Sequence, residues 1–288
     1  REAFQKSIVL WEAQGDKAAL GNCLSNLGDV YYDIGHYSQA RQTFQRALAL
    51  HQTIGDRAGA ALARYGLGKV ERSLGQYEVA KTHLEQALTF YQSIGDRHLE
   101  GRCLADLGLL YCRLQDYGTA IIYLDESLTI LRELDAPWWH VVKTLIYFAW
   151  TLHDHGRLVE ARDTIIEAME IERDTQRRVA LVEDVTHLGR IALAMNDLSL
   201  ADSCVQQILF FVERQGIQSI EHPALVYLTC YHILQANGKV QEAQAVLLAG
   251  HRLVLEQASL IDEPDLHESY LTHVPEHRRL IKLATDPS

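Results

Sequence analysis

Residues 54–80 read IGDRAGAALARYGLGKVERSLGQYEVA, and residues 94–120 read IGDRHLEGRCLADLGLLYCRLQDYGTA. The two stretches match at a constant offset of 40 residues, at which a Gly-Asp pair, a Leu-Gly pair, a tyrosine and an alanine all recur. Similarity at a fixed period of about 20–50 residues is typical of arrays in which each repeat is one supersecondary unit. The repeat therefore indicates the fold class before any single motif is considered.

Each unit has the pattern of two helices. In the first unit Leu20, Leu24 and Leu27 keep a spacing of three or four residues, which places them on one helical face. Gly35 then predicts a helix end, because glycine readily adopts the left-handed conformation found there. Asp56 is expected to cap the first helix of the next unit. The sequence thus predicts antiparallel helix pairs joined by short turns.

The period extends beyond the first three units, though less regularly. Alanines 40, 80 and 120 are followed by weaker matches at alanines 161, 201 and 243. We therefore predict an all-α fold, a right-handed superhelical α-solenoid of about six helix pairs. The predicted divisions are residues 1–16 as the second helix of a preceding repeat, 17–135 as three regular units, 136–258 as three divergent units, and 259–288 as a C-terminal cap.

The small and aromatic residues of the first unit resemble the tetratricopeptide repeat. The motif is present as Leu27-Gly28, Tyr31, Ala40, Phe44 and Ala47. We expect Gly28, Ala40 and Ala47 to let the paired helices approach closely. The third unit departs from the pattern at Ser127, and the family's proline near the unit end is absent. The resemblance implies a superhelix whose concave wall, built from the first helices, binds a ligand or partner.

The two ends of the chain differ from the regular units. Phe4 and Ser7 correspond in register to Phe44 and Ala47, so further repeat sequence is expected before Arg1. Residues 268–279, ESYLTHVPEHRR, predict a short helix, a break at a proline and a last helix. This run resembles the closing segment of repeat domains in large bacterial signal-transduction ATPases and transcriptional activators. The resemblance implies an effector and an ATPase upstream.

The register of the repeat selects candidate groove residues. The positions that face the concave wall in tetratricopeptide repeats carry more basic than acidic residues, although the chain has a net charge of −11. Arginine suits carboxylates and phosphates, and aromatic residues are common anchors at interfaces. An ordinary solvated face with charges paired to each other is the alternative. The candidates are Asn22, Asp29, Tyr65, Lys69, Arg72, Arg102, Arg113, Lys143, Trp150 and Arg190.

Two adjacent tryptophans, Trp138 and Trp139, replace the Gly-Asp junction between the third and fourth units. Adjacent residues of a helix point in different directions, so one of the two indoles is expected to be exposed. They either fill a gap where the regular connection is lost or contact another domain or a ligand. Gap filling is the preferred interpretation.

Composition excludes several classes of function. The acidic balance argues against direct binding of nucleic acid. No apolar run is long enough to span a membrane. The five scattered cysteines form no C-x-x-C pair, which indicates reduced, packed thiols in a cytoplasmic protein. The expected partners are a protein or peptide, a small anionic effector, and upstream domains of the same chain.

No motif for catalysis, cofactor or metal binding is evident. The chain lacks a phosphate-binding loop and a nucleophile elbow, so any ATPase must lie outside it. The run His153-Asp154-His155 does not have a metal-ligand spacing, because adjacent residues diverge on a helix. Two functions remain: a sensor domain that switches on binding a ligand in its groove, and a static scaffold that recruits another protein.

Overall fold

The computed structural model describes residues 2–174, 181–217 and 220–286, and all regular structure within them is helical. The helices are α1 (Glu2–Gln14), α2 (Lys17–Asp33), α3 (Tyr37–Thr53), α4 (Arg57–Ser73), α5 (Tyr77–Ile94), α6 (Arg97–Arg113), α7 (Tyr117–Glu133), α8 (Trp138–Asp154), α9 (Leu158–Asp174), α10 (Leu181–Ala194), α11 (Leu198–Gln215), α12 (Pro223–Ala236), α13 (Val240–Ala258), α14 (Pro264–Thr272) and α15 (Pro275–Thr285). The predicted all-α solenoid is confirmed. Arg1 and residues 287–288, which belong to the first and last predicted divisions, lie outside the described residues.

Successive helices pack as antiparallel pairs, from α2 with α3 to α12 with α13. The start of a pair is fixed by a capping aspartate: the side chains of Asp16, Asp56 and Asp96 each accept a hydrogen bond from the backbone N–H three residues later. Gly35, which ends α2, has a φ of 74° and so occupies the left-handed region. The capping aspartates and Gly35 therefore start and end helices as the sequence predicted.

Close contact within the first three pairs depends on a glycine of the Leu-Gly motif. A Cβ atom added at Gly28 would lie 2.8 Å from the Phe44 ring, and one at Gly68 would lie 2.5 Å from Leu84 Cγ. Both distances are shorter than any ordinary carbon contact, so a side chain at either position would force the helices apart. The predicted packing role of Gly28 is confirmed.

The irregular junction before α8 divides the two tryptophans. Pro137 precedes the helix, Trp138 is partly buried against the core of the third and fourth units, and the Trp139 side chain is 49% exposed. Gap filling thus holds for Trp138 only. The exposed indole of Trp139 borders the concave face of the solenoid.

The C-terminal helices close the superhelix on itself. They pack against the last helix pair, and they also contact the first units of the chain. Ser269 Oγ donates a hydrogen bond to the Leu74 carbonyl at 2.8 Å, and the rings of Tyr37 and Tyr270 lie 6.1 Å apart. Arg41 forms a hydrogen-bonded ion pair with Glu263 at 3.1 Å. This contact between the two ends was not predicted from the sequence.

The described residues contain five cysteines, all free and buried. Burial raises the pKa of the Cys103, Cys204 and Cys230 thiols, which makes them poor nucleophiles. Among the described helices, none combines the length and the apolar character that crossing a membrane would require.

Candidate ligand-binding groove

A partly buried carboxylate, Glu221, lies on the concave wall. It precedes α12 and accepts hydrogen bonds from the hydroxyls of Tyr32 at 3.0 Å and Tyr147 at 2.9 Å. Its oxygens also lie 3.1 Å from Lys143 Nζ and 3.3 Å from Arg72 Nη2. The carboxylate therefore joins the first, second and fourth units through their first helices.

The charges around Glu221 are balanced by neighbouring groups. Burial alone would raise the pKa of Glu221, but the positive charges of Lys143 and Arg72 hold it well below its usual range. Arg72 also contacts the Asp106 carboxylate at 3.1 Å, and Tyr65 donates its hydroxyl to Asp106 at 2.5 Å. Such a network is expected to keep the inner wall rigid, because removing one partner would leave an uncompensated buried charge.

A second ion-pair cluster anchors the cap to the groove. Arg113 pairs with Glu276 of α15 at 2.5 Å, and its guanidinium lies 4.1 Å from the centre of the Trp150 ring. Arg190 contacts the same ring and pairs with Asp154 at 2.8 Å. The acidic residue of the His153–His155 run is thus engaged in an ion pair, and the described residues contain no group of three or more potential metal ligands.

The space between the cap and the first units is nearly closed. A cavity of about 40 Å³ remains between Tyr37, Arg72, Arg113 and the cap residues Tyr270 and Glu276. This volume admits little more than one water molecule, whose share of the liquid is about 30 Å³.

Two larger cavities open beside the Glu221 network. The basic cavity, of about 210 Å³, lies between α4, α6 and α8 and is lined by Tyr65, Lys69, Arg102, Ala105, Asp106, Leu131, Trp139, His140, Lys143 and Thr144. The apolar cavity, of about 160 Å³, lies on the other side of α8, where Val142, Ile146 and Leu225 contribute to its lining. Trp139 and Lys143 line both cavities, so a ligand in one is next to the other.

Two side chains with shifted pKa values, His140 and Glu183, border these cavities. The pKa of His140 is lowered to about 4, by burial first and then by the positive charges of Arg102 and its neighbours. Burial raises the pKa of Glu183 in the apolar cavity to about 7, although Glu183 accepts the backbone N–H of Glu221 at 2.7 Å. With a pKa of about 4, His140 is uncharged at neutral pH and adds no positive charge to the basic cavity.

The ten residues predicted for the groove lie in three different environments in the structure. It brings Tyr65, Lys69, Arg102 and Lys143 together around the basic cavity. It places Arg72, Arg113, Trp150 and Arg190 in the internal networks, where Arg72 and Trp150 are almost fully buried. Asp29 pairs with Lys69 at 3.2 Å, and Asn22 is exposed and does not line the basic cavity. Within the internal group, Arg72, Arg113 and Arg190 are each paired with a carboxylate of the chain.

Three acidic partners, Glu221, Glu276 and Asp106, were not among the predicted residues. Glu221 belongs to an irregular connection, and Glu276 belongs to the cap, so neither carries the register of the repeat. Asp106 lies on a first helix but at a position outside the set expected to face the groove. The sequence signal that could have identified Asp106 is its charge among apolar neighbours in α6.

The first half of the chain matches a known protein family. Residues 1–53 and 56–133 match the family model of the tetratricopeptide repeat. This region is made of tetratricopeptide repeats. The match ends before α8, and packed helix pairs continue to α13. A comparison with curated proteins found no match.

Several solved structures share the fold at low sequence identity. A Rap protein complexed with competence and sporulation factor is 13% identical, with a TM-score of 0.65, over 94% of this chain and 76% of that one. The Rap conjugation gene regulator of plasmid pLS20, in complex with the Phr* peptide, is 14% identical, with a TM-score of 0.65, over 92% and 75%. BtubC (BKLC) from P. vanneervenii is 19% identical, with a TM-score of 0.60, over 74% and 89%. These likenesses concern the fold.

Proposed function

We propose that this tetratricopeptide domain is the sensor of a larger bacterial regulator and binds a peptide, a partner helix or a small effector in its concave groove. The observation that carries the proposal is the basic cavity. Most charges of the concave wall are paired within the chain, and these include Lys69 and Lys143. Both lysines line, together with Arg102, a cavity beside an exposed tryptophan. A cavity with convergent polar groups and an aromatic wall is the usual form of a binding site.

Two neighbouring structures support a peptide as the ligand. The Rap protein is described in complex with competence and sporulation factor, and the pLS20 regulator in complex with the Phr* peptide. Both superpose on more than nine tenths of this chain. A solenoid of the same fold therefore accommodates a peptide in the pLS20 regulator.

The closed superhelix offers a means of switching. The ends are held by ion pairs, among them Arg41 with Glu263 and Arg113 with Glu276, and by a shared hydrophobic cluster that includes the cap residue Tyr270. A ligand that binds the open and closed shapes with different affinities would shift their populations by that difference. Upstream effector and ATPase domains, which the C-terminal run implies, would be the elements that respond.

Binding is tested with peptides selected from a random library on the purified domain. Affinity is measured by fluorescence anisotropy for the wild type, for Arg102→Glu and for Arg162→Glu, whose arginine is exposed on α9. We expect Arg102→Glu to weaken binding by more than about tenfold, in line with the loss of a charge-assisted contact, and Arg162→Glu to have no effect. Equal affinity of all three proteins would reject the groove.

Arg113 is unsuitable for the same test. Arg113 was predicted, like Arg102, to contact the ligand. Charge reversal at Arg113 would, however, place two carboxylates in contact at Glu276. It would therefore disturb the cap as well as any binding. A static scaffold remains distinguishable by small-angle X-ray scattering: a sensor changes its radius of gyration with saturating peptide, and a scaffold does not.

A further inference from the structure

A second groove lies beside the helix pair α4–α5, on a different face of α4 from the basic cavity. This α4–α5 groove has a volume of about 710 Å³ and is bounded by the end of α3, the first half of α4 and residues 82–93 of α5. It shares no lining residue with the basic cavity. Its α5 side is a continuous stripe of three turns, about 16 Å long at 1.5 Å per residue, made of Thr82, Glu85, Gln86, Thr89, Phe90 and Ser93. The groove is therefore long enough for a segment of a partner protein.

Two departures from the repeat distinguish this groove. Ala60 stands where the third unit, 40 residues later, has Glu100 and where the first unit has a leucine. Arg64 stands where the first and third units have the buried leucines Leu24 and Leu104. A small side chain thus replaces a larger one, and a guanidinium replaces an apolar group of the core. Both residues line the groove, so its space and its charge are specific to the second unit.

The same exchange leaves two arginines without a carboxylate partner. In the third unit Arg97 pairs with Glu100 at 2.8 Å. Arg57 is the equivalent of Arg97, but alanine replaces the glutamate one turn later, and its guanidinium lies 5.5 Å from the centre of the Phe90 ring. Among the described residues, neither Arg57 nor Arg64 forms an ion pair. A ring contact attracts a cation but does not neutralise it, so two positive charges remain at the groove.

The two carboxylates that line the groove have other partners. Asp56 caps α4, at the end where the helix dipole is positive, and lies 2.8 Å from His51 Nδ1. Glu85 accepts a hydrogen bond from the Tyr111 hydroxyl at 3.4 Å. The pKa of Lys81, one turn from Glu85, is raised by Tyr111 first and by Glu85 among the further causes. A ligand that brings carboxylates of its own is therefore favoured by the two arginines.

The spacing of the arginines selects the form of that ligand. Arg57 and Arg64 are seven residues apart on α4, which is two turns and about 10 Å along the helix axis. One compact dianion does not extend over that distance, whereas residues i and i+7 of a second helix have the same separation. Ala60 and Ala61 lie between the arginines and form an apolar floor opposite Phe90. Residues i+3 and i+4 of the second helix would face that floor.

We propose that the α4–α5 groove is a docking site for an acidic amphipathic helix of a partner protein. Two of its carboxylates, two turns apart, pair with Arg57 and Arg64, and the apolar residues between them contact Ala60 and Phe90. Laying one face of a helix into a groove is a recurring mode of recognition. Because this groove and the basic cavity share no residue, the domain can hold a ligand and a partner helix at the same time.

The probe is a stapled helical peptide with two glutamates seven residues apart and two leucines between them on the same face. One matched peptide has glutamines in place of the glutamates, and a second has the same composition with one glutamate moved to the opposite face. Affinity is measured by fluorescence anisotropy. We expect each matched peptide to bind more weakly, the glutamine peptide at least about tenfold, since it loses two charge-assisted contacts. Equal affinity of the three peptides, or no binding of the first, would overturn the proposal.

Variants of the protein locate the contact. Arg64→Leu restores the residue of the neighbouring units, so it is expected to fold and to lower the affinity at least about tenfold. Ala60→Glu introduces the carboxylate of the third unit, which is expected to pair with Arg57 and to abolish binding. Arg162→Gln, on α9, is the control and should bind as the wild type. Full affinity in Arg64→Leu, or in a folded Ala60→Glu protein, would reject the site, and circular dichroism melting verifies folding.

The docking site and the proposed function fail separately. If library-selected peptides bind in a manner that depends on Arg102 but the acidic helix does not bind, the docking site is wrong and the function of the concave groove stands. If the acidic helix binds as expected but Arg102→Glu leaves the affinity for library-selected peptides unchanged, the docking site stands and the concave groove is wrong.

Discussion

Replacing Glu221 with glutamine tests the charge network that joins three units of the groove. Glutamine keeps an oxygen for the hydroxyls of Tyr32 and Tyr147 but removes the negative charge from Lys143 and Arg72. Breaking one partner of a buried ion pair costs about 3–5 kcal/mol, and the retained hydrogen bonds place this change at the lower end, about 3 kcal/mol. With an unfolding entropy of about 2 cal/mol/K per residue, the melting temperature should fall by about 5 °C.

The assay is thermal unfolding followed by circular dichroism, with urea unfolding as a second measurement. Glu160→Gln is the matched control, because Glu160 forms an exposed ion pair with Arg157. Exposed pairs contribute little, so no measurable change is expected there. A melting temperature within about 1 °C of the wild type for Glu221→Gln, or an equal loss for Glu160→Gln, would refute the view that Glu221 is a structural centre.

Two further predictions concern stability. Burial, followed by the charge of Glu172, raises the pKa of Asp184 to about 9, so the folded state holds this proton more tightly than the unfolded state, where the pKa is about 3.9. Stability should therefore fall as the pH rises from about 4 to about 9, and Asp184→Asn should flatten this dependence in urea unfolding at pH 5 and pH 8. Gly68→Ala should lower the free energy of unfolding by about 1–3 kcal/mol, because the new Cβ would lie 2.5 Å from Leu84 Cγ. Gly118→Ala, where the nearest atom is 3.8 Å away, should not, and equal losses in urea unfolding would contradict the packing argument.

The sequence predicts local structure well because local signals determine it. The capping aspartates, the turn glycines and the Leu-Gly contacts act within one unit, and a fixed period repeats them. The groove is harder to predict, because its charges are paired across large sequence separations. Arg72 and Arg113 match the register of a ligand-binding wall, yet their partners, Glu221 and Glu276, come from segments without that register. Only the fold in three dimensions shows which cations remain available.

The contact between the cap and the first units limits how this molecule can evolve and fold. An open array tolerates the gain or loss of a unit, because each unit interacts with its neighbours alone. Here an added helix pair would carry Tyr270 and Ser269 away from Tyr37 and Leu74, and a deleted pair would drive them into collision. The number of units is thus set by ring closure. During synthesis the early units cannot form this contact until residues nearly 200 positions later have been translated. Such long-range pairing slows the last step of folding.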